Sequence, residues 1–161
     1  MLARDLDVVF VGINPGLWSA VVGHHFARPG NRFWKALHLG GLTDRLLTPS
    51  EEASLLDEGI GVTNLVDRAT ATADELTRDE LRRGARSLPA RLSAFEPRVV
   101  AILGIGAYRT AFERPRASLG RQPESIGRAP LWVLPNPSGL NAHYQVDALA
   151  TRFRELRDAM R

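Results

Sequence analysis

Cysteine is absent from the 161 residues, and lysine occurs once, as Lys35. The first absence removes disulfides, catalytic thiols and iron–sulfur clusters, and leaves any zinc site to His and carboxylate ligands. The four histidines do not supply a recognisable ligand spacing: His24 and His25 are adjacent, His38 and His143 stand apart, and no HExxH occurs. The chain is therefore expected to need no metal and no redox cofactor. The scarcity of lysine bears on covalent chemistry, because a Schiff base needs an amine and the choices are Lys35 and the chain terminus. No apolar run approaches the length of a bilayer span. Asp5 and Asp7 interrupt any charged-then-apolar leader, so a cytoplasmic location is expected. No GxxxxGK[ST] stretch is present, which argues against a P-loop NTPase.

What is present is an ordinary globular composition, 44% hydrophobic and 24% charged, with a net charge of +3 carried almost wholly by arginine. A modest basic excess suits a nucleic-acid partner, and it also fits a simple arginine bias. The length suits a single domain, residues 1–161. Short apolar runs at Asp7–Ile13, Gly61–Val66, Val99–Leu103 and Leu131–Leu134 predict strands covered on both faces. Helical periodicity falls between and after them. It covers Asn31–Leu39, with Asn31 as cap, and a stretch capped by Ser50 with Glu51 and Glu52 in its first turn. It continues in Thr77–Phe95, which opens on a Thr77-x-x-Glu80 capping box and contains Pro89 as a point of bending or splitting. Ile105–Phe112 and Val146–Met160 complete the set. Alternating strands and helices predict an α/β, three-layer α/β/α sandwich with a mostly parallel central sheet. The Pro-, Gly- and Arg-rich stretch Arg114–Pro130 is expected to be a surface excursion.

In such folds the ligand site lies at the carboxyl ends of the strands. Three candidate strands end there in chemically loaded turns: Gly12-Ile13-Asn14-Pro15-Gly16, Asn64-Leu65-Val66-Asp67-Arg68 and Pro135-Asn136-Pro137-Ser138-Gly139-Leu140-Asn141. The first reads equally as a tight turn or as a close approach of backbone to ligand, with the Asn14 amide able to orient a water or a sugar. A fourth segment, Gly23 to Lys35, interleaves aromatic and basic residues. It reads as core aromatics beside a solvated face, or as a loop offering Phe26 as a stacking plate for a base. Leu140 reads as a lone exposed leucine or as a wedge for the base stack.

Taken together, GINPG, GHHFARPGNRFWK, VTNLVDR and LPNPSGL resemble the mismatch-specific uracil/thymine DNA glycosylases, the Mug/TDG type, from about Asp7 to the last helix. The resemblance implies the uracil-DNA glycosylase fold and a monofunctional enzyme. Such an enzyme flips a mispaired or damaged pyrimidine out of double-stranded DNA and hydrolyses its N-glycosidic bond, acting as a monomer without cofactor. It implies that Asn14 positions the attacking water and that Phe26 stacks on the extruded base. Gly12, Ile13, Pro15 and Gly16, with Asn64 and Asn136, would line the base pocket. Pro137, Ser138, Gly139, Leu140 and Asn141 would form the DNA-binding loop, Leu140 filling the gap in the helix. Asn14 cannot take a proton, so either the cationic sugar acidifies the water late in the reaction or a nearby carboxylate is the base. Asp67 is the candidate, and its structural alternatives are an ion pair with Arg68 or a helix cap. Two departures stand out. Asn64 occupies a position where some bacterial relatives carry Lys, and Asn141-Ala142 replaces a Ser-Arg pair. The competing expectations are a broad uracil-DNA glycosylase also acting on A:U and single strands, a non-catalytic nucleic-acid-binding module of the same fold, and a hydrolase of free nucleosides.

Overall fold

The structure, a computed structural model, describes residues 1–161. Five strands form one sheet: β1 (Val8–Gly12), β2 (Ile60–Asn64), β3 (Val100–Leu103), β4 (Gly120–Ile126) and β5 (Ala129–Leu134), in the order β2-β1-β3-β5-β4. The β2·β1, β1·β3 and β3·β5 pairs are parallel, and β4 runs antiparallel to β5 at the edge. Six helices accompany them: α1 (Leu17–Val22), α2 (Phe33–Leu39), α3 (Ser54–Asp57), α4 (Arg78–Leu92), α5 (Ile105–Ala111) and α6 (Val146–Ala159).

Period-two alternation explains the layers. Every residue of β1 is buried, yet successive side chains enter different cores. Val8 and Phe10 join Phe33, Trp34 and Leu37 of α2, Leu55 of α3 and Leu149, Phe153 and Leu156 of α6. Val9 and Val11 join Ala85, Leu88 and Leu92 of α4 and Tyr108 and Ala111 of α5. The sheet is thus covered on both faces, as its uninterrupted apolar strands require. Phe10 anchors the first core, edge-on to Phe33 at 5.4 Å and stacked on Phe153 at 5.5 Å.

Three sequence expectations need correction. Arg114–Pro130 is not merely a surface excursion, because β4 lies within it and pairs with β5. Its alternation is thin: Gln122 and Ile126 are its buried side chains. Pro123 sits where the register shifts between Arg121 and Ser125, the kind of edge irregularity that tolerates a missing N–H. A two-residue turn at Gly127-Arg128, with Gly127 at φ 59°, closes the hairpin. Pro89 does not split α4, which runs unbroken from Arg78 to Leu92 and carries Pro89 on an exposed position. Ser50 does not cap; Thr48 opens a 3-10 turn, Pro49–Glu51, its N–H bonded to the Glu51 carboxylate at 2.8 Å. The Thr77–Glu80 capping box forms as expected, with both bonds at 3.1 Å. Helix α1, not foreseen, buries none of its residues, and Trp18 and Val21 face outward.

The chain leaves β1 for β2 on one side and returns to β3 on the other. The strand order therefore reverses between β1 and β3, and a crevice opens at their carboxyl ends. No helix is long and apolar enough to cross a membrane.

Candidate active site

A cavity of about 330 Å³ occupies that crevice. Gly12, Ile13, Asn14, Pro15 and Gly16 form one wall, Phe26 another, Asn64 and Asp67 a third, and Asn136, Pro137, Ser138 and Leu140 a fourth. Of the residues singled out from sequence, Gly139 and Asn141 do not line it.

The segment after β2 runs alongside the turn after β1, joined by backbone hydrogen bonds. Leu65 N–H donates to Gly12 at 2.8 Å, Val66 to Ile13 at 3.0 Å, Thr70 to Pro15 at 3.2 Å, and Leu17 to Thr70 at 3.1 Å. This zipper sets the orientation of Asn14. Its Nδ2 donates to the Arg68 carbonyl and to Thr70 Oγ1, both at 2.8 Å. Thr70 Oγ1 in turn donates to the Thr72 carbonyl at 2.7 Å, so it must accept from Asn14. Both amide protons are engaged, and Oδ1 is left as a free acceptor in the cavity wall. The Thr70 and Arg68 contacts carried no sequence signal, because they depend on two segments lying side by side.

Phe26 sits at φ 52°, a left-handed conformation costly for a bulky residue, of the order of 1–3 kcal/mol. Three elements hold it there. Glu52 Oε2 accepts from His25 N–H at 2.7 Å, Trp34 Nε1 donates to the Phe26 carbonyl at 3.3 Å, and Ala27 N–H donates to Ser19 Oγ at 3.1 Å. Phe33 backs the ring at 4.1 Å between centroids. Burial lowers the pKa of His25, also in the cavity wall, against the opposing pull of Glu52. Gly12 has a steric reason: a Cβ there would stand 2.6 Å from Asn64 Oδ1 and 3.4 Å from the Phe26 ring. Asn64 is itself buried, 9% exposed, and its side-chain amide has no protein partner, which leaves its groups to the cavity.

On the opposite wall, Asn136 Oδ1 accepts from Ser138 N–H at 3.0 Å, so its Nδ2 is the unused donor. Asn141 turns inward: its Nδ2 donates to the Asn136 carbonyl at 2.9 Å and its Oδ1 accepts from His143 N–H at 3.0 Å. Gly139 packs against the neighbouring loop, where a Cβ would meet the Gly30 carbonyl oxygen at 2.7 Å. Leu140 is 60% exposed at the cavity rim. Asp67 is exposed, and neither structural alternative for it is found. Arg68 pairs with Glu80, at 2.8 and 3.0 Å, and Asp67 precedes no helix. Asn31, expected to cap α2, does not hold that position: Arg32 does, and it makes no side-chain cap bond. Asn31 Oδ1 instead accepts from Phe33 N–H at 2.9 Å, one residue before the cap.

The crevice at the reversal point of this doubly wound sheet is thus walled by the amides of Asn14, Asn64 and Asn136, with a leucine at its lip. The sequence model of the uracil DNA glycosylase superfamily matches residues 2–160, and the chain belongs to that superfamily. It is accordingly a glycosylase acting on DNA, with the α/β fold of that superfamily.

Proposed function

We propose that this glycosylase is of the mismatch-specific Mug/TDG type and releases uracil from G:U pairs in double-stranded DNA without cutting the strand. The observation that carries the reading is the pinned amide of Asn14, whose free Oδ1 can accept a proton of one water and aim its lone pair at the deoxyribose C1′. Glycosidic cleavage builds positive charge on the sugar and negative charge on the base. The unused Nδ2 of Asn136 is a donor for the departing base, and the unpartnered amide of Asn64 is a second polar group for the pyrimidine edge. Phe26, backed by Phe33, offers the stacking surface. Base flipping costs a few kcal/mol and least at a mispair, so a short apolar wedge such as Leu140 favours G:U over A:U. Lys35 is exposed and outside the cavity, which supports hydrolysis without Schiff-base strand cleavage. Asp67, at the cavity wall with no ion-pair partner, is the proposed acceptor of the water's proton.

The test is base release from duplexes carrying one G:U, A:U or G:T pair under single-turnover conditions. Wild type should act fastest on G:U, Asn14→Ala should lose nearly all activity, and Asp67→Asn should lose a substantial part. Full activity in Asp67→Asn with loss in Asn14→Ala would assign Asp67 a structural role. A second reading, a broader uracil-DNA glycosylase, is favoured by Asn64, because recognition of the base edge by a side-chain amide does not depend on the opposite base. Equal rates on G:U, A:U and single strands would select it.

A further inference from the structure

The loop that carries Leu140 joins β5 to α6 through residues 135–145 without helix or strand. Arg32, at the N-cap of α2, reaches into it. Its Nη1 lies 2.7 Å from the Asn141 carbonyl, 2.9 Å from that of Tyr144 and 3.2 Å from that of Ser138, and its Nη2 lies 3.3 Å from that of Gly139. Its backbone N–H donates to the Pro137 carbonyl at 2.8 Å. Arg32 takes part in no ion pair. Its charge is met by loop carbonyls alone, among them those of the residues immediately before and after Leu140. A planar guanidinium with five fixed donors suits such a bundle of acceptors; a single ammonium does not span it. Gly139, against the Gly30 carbonyl, lets the loop come that close.

We infer that Arg32 is a positioning residue for base flipping: by gripping the carbonyls on either side of Leu140 it fixes the height and angle at which that side chain stands at the cavity. The inference rests on the reading of Leu140 as the wedge. It also joins the two loops of the cleft, because Arg32, at the N-cap of α2, ends the segment that presents Phe26. The stacking surface and the wedge then act as one body, and an error in the grip is felt as a misplaced leucine.

A double-mutant cycle tests this, with single-turnover release of uracil from a G:U duplex as readout. Arg32→Lys keeps the charge and loses the fork; it should slow release roughly tenfold, a scale usual for misplacement by a fraction of an ångström. In a Leu140→Ala background the same change should add nothing. Additive losses would overturn the inference. Gly139→Ala, which displaces the same loop while leaving the Arg32 side chain unchanged, provides a second cycle if Arg32→Lys folds poorly, and should show the same dependence on Leu140. An activity-free arm is amide hydrogen exchange. Residues 138–144 should exchange faster in Arg32→Lys while α6 is unchanged, and unaltered exchange in the loop would overturn the claim. Wild type releasing no uracil at all would remove the parent reading, and the exchange arm would still decide whether Arg32 orders this loop.

Discussion

The two rims of the cleft hold their key side chains in opposite ways. On the β1 rim, Asn14 has both amide protons tied to a neighbouring segment that is zippered to it by backbone hydrogen bonds. On the β5 rim, Leu140 touches solvent over most of its surface and is held indirectly, through carbonyls gripped by one cation. Under the proposed function, the difference suits the two roles. Aiming a water's lone pair needs an acceptor fixed in direction, which takes a hydrogen bond on each remaining donor. Displacing a base needs an apolar body at the right place, and its rotamer can adjust to the stack.

The largest expected effect comes from removing the pinned group itself. Asn14→Ala should lower single-turnover base release by roughly 10³-fold, the upper end of the loss for one positioned hydrogen-bonding group, with little change in DNA affinity. Next, Gly12→Ala should disturb the pocket, because its methyl would stand 2.6 Å from Asn64 Oδ1 and force that amide to shift. Base release should fall by less than in Asn14→Ala while folding, followed by thermal melting, survives. Thr70→Val removes one of the two acceptors that orient Asn14, a loss of about 1 kcal/mol of net hydrogen bonding. A roughly fivefold slower release is expected for that energy, restored by Thr70→Ser. Leu140→Ala should be milder on G:U than on A:U; equal losses on the two duplexes would erase the contrast between the rims. The smallest effect concerns stability. The Arg68 guanidinium, followed by the Thr77 N–H, holds Glu80 down from 4.5 to about 2. Its folded value is depressed, so its contribution is complete above pH 4.5 and is lost as pH falls towards about 2. Glu80→Gln should therefore lower the melting temperature slightly at neutral pH, and the difference from wild type should disappear near pH 2.

Much of the fold was legible because each parallel strand is short, apolar and ends in a turn. Phe10, Ile102 and Val133 could hardly lie anywhere but a covered sheet. The edge strand β4 was not legible, since one face of it is solvated and Gly120 and Pro123 mask its alternation. Helix α1 was missed for a related reason: a helix that buries nothing leaves no polar face to contrast with an apolar one. In the site, Asn14, Asn64, Asn136 and Leu140 were visible as unusual residues in turns. Arg32 was not, because its role is to bond carbonyls, and any side chain presents the same carbonyl to it. Thr70 and Glu52 were hidden likewise, each acting on a residue far away in the chain.

The amino-acid order alone determined the layered sheet, because burial on both faces demands apolar strands, and it determined which polar groups stand at the strand ends. Only the tertiary structure decided which atoms of those groups remain free. An amide's chemistry depends on which of its donors and acceptors are already occupied, and the occupants here come from segments distant in sequence.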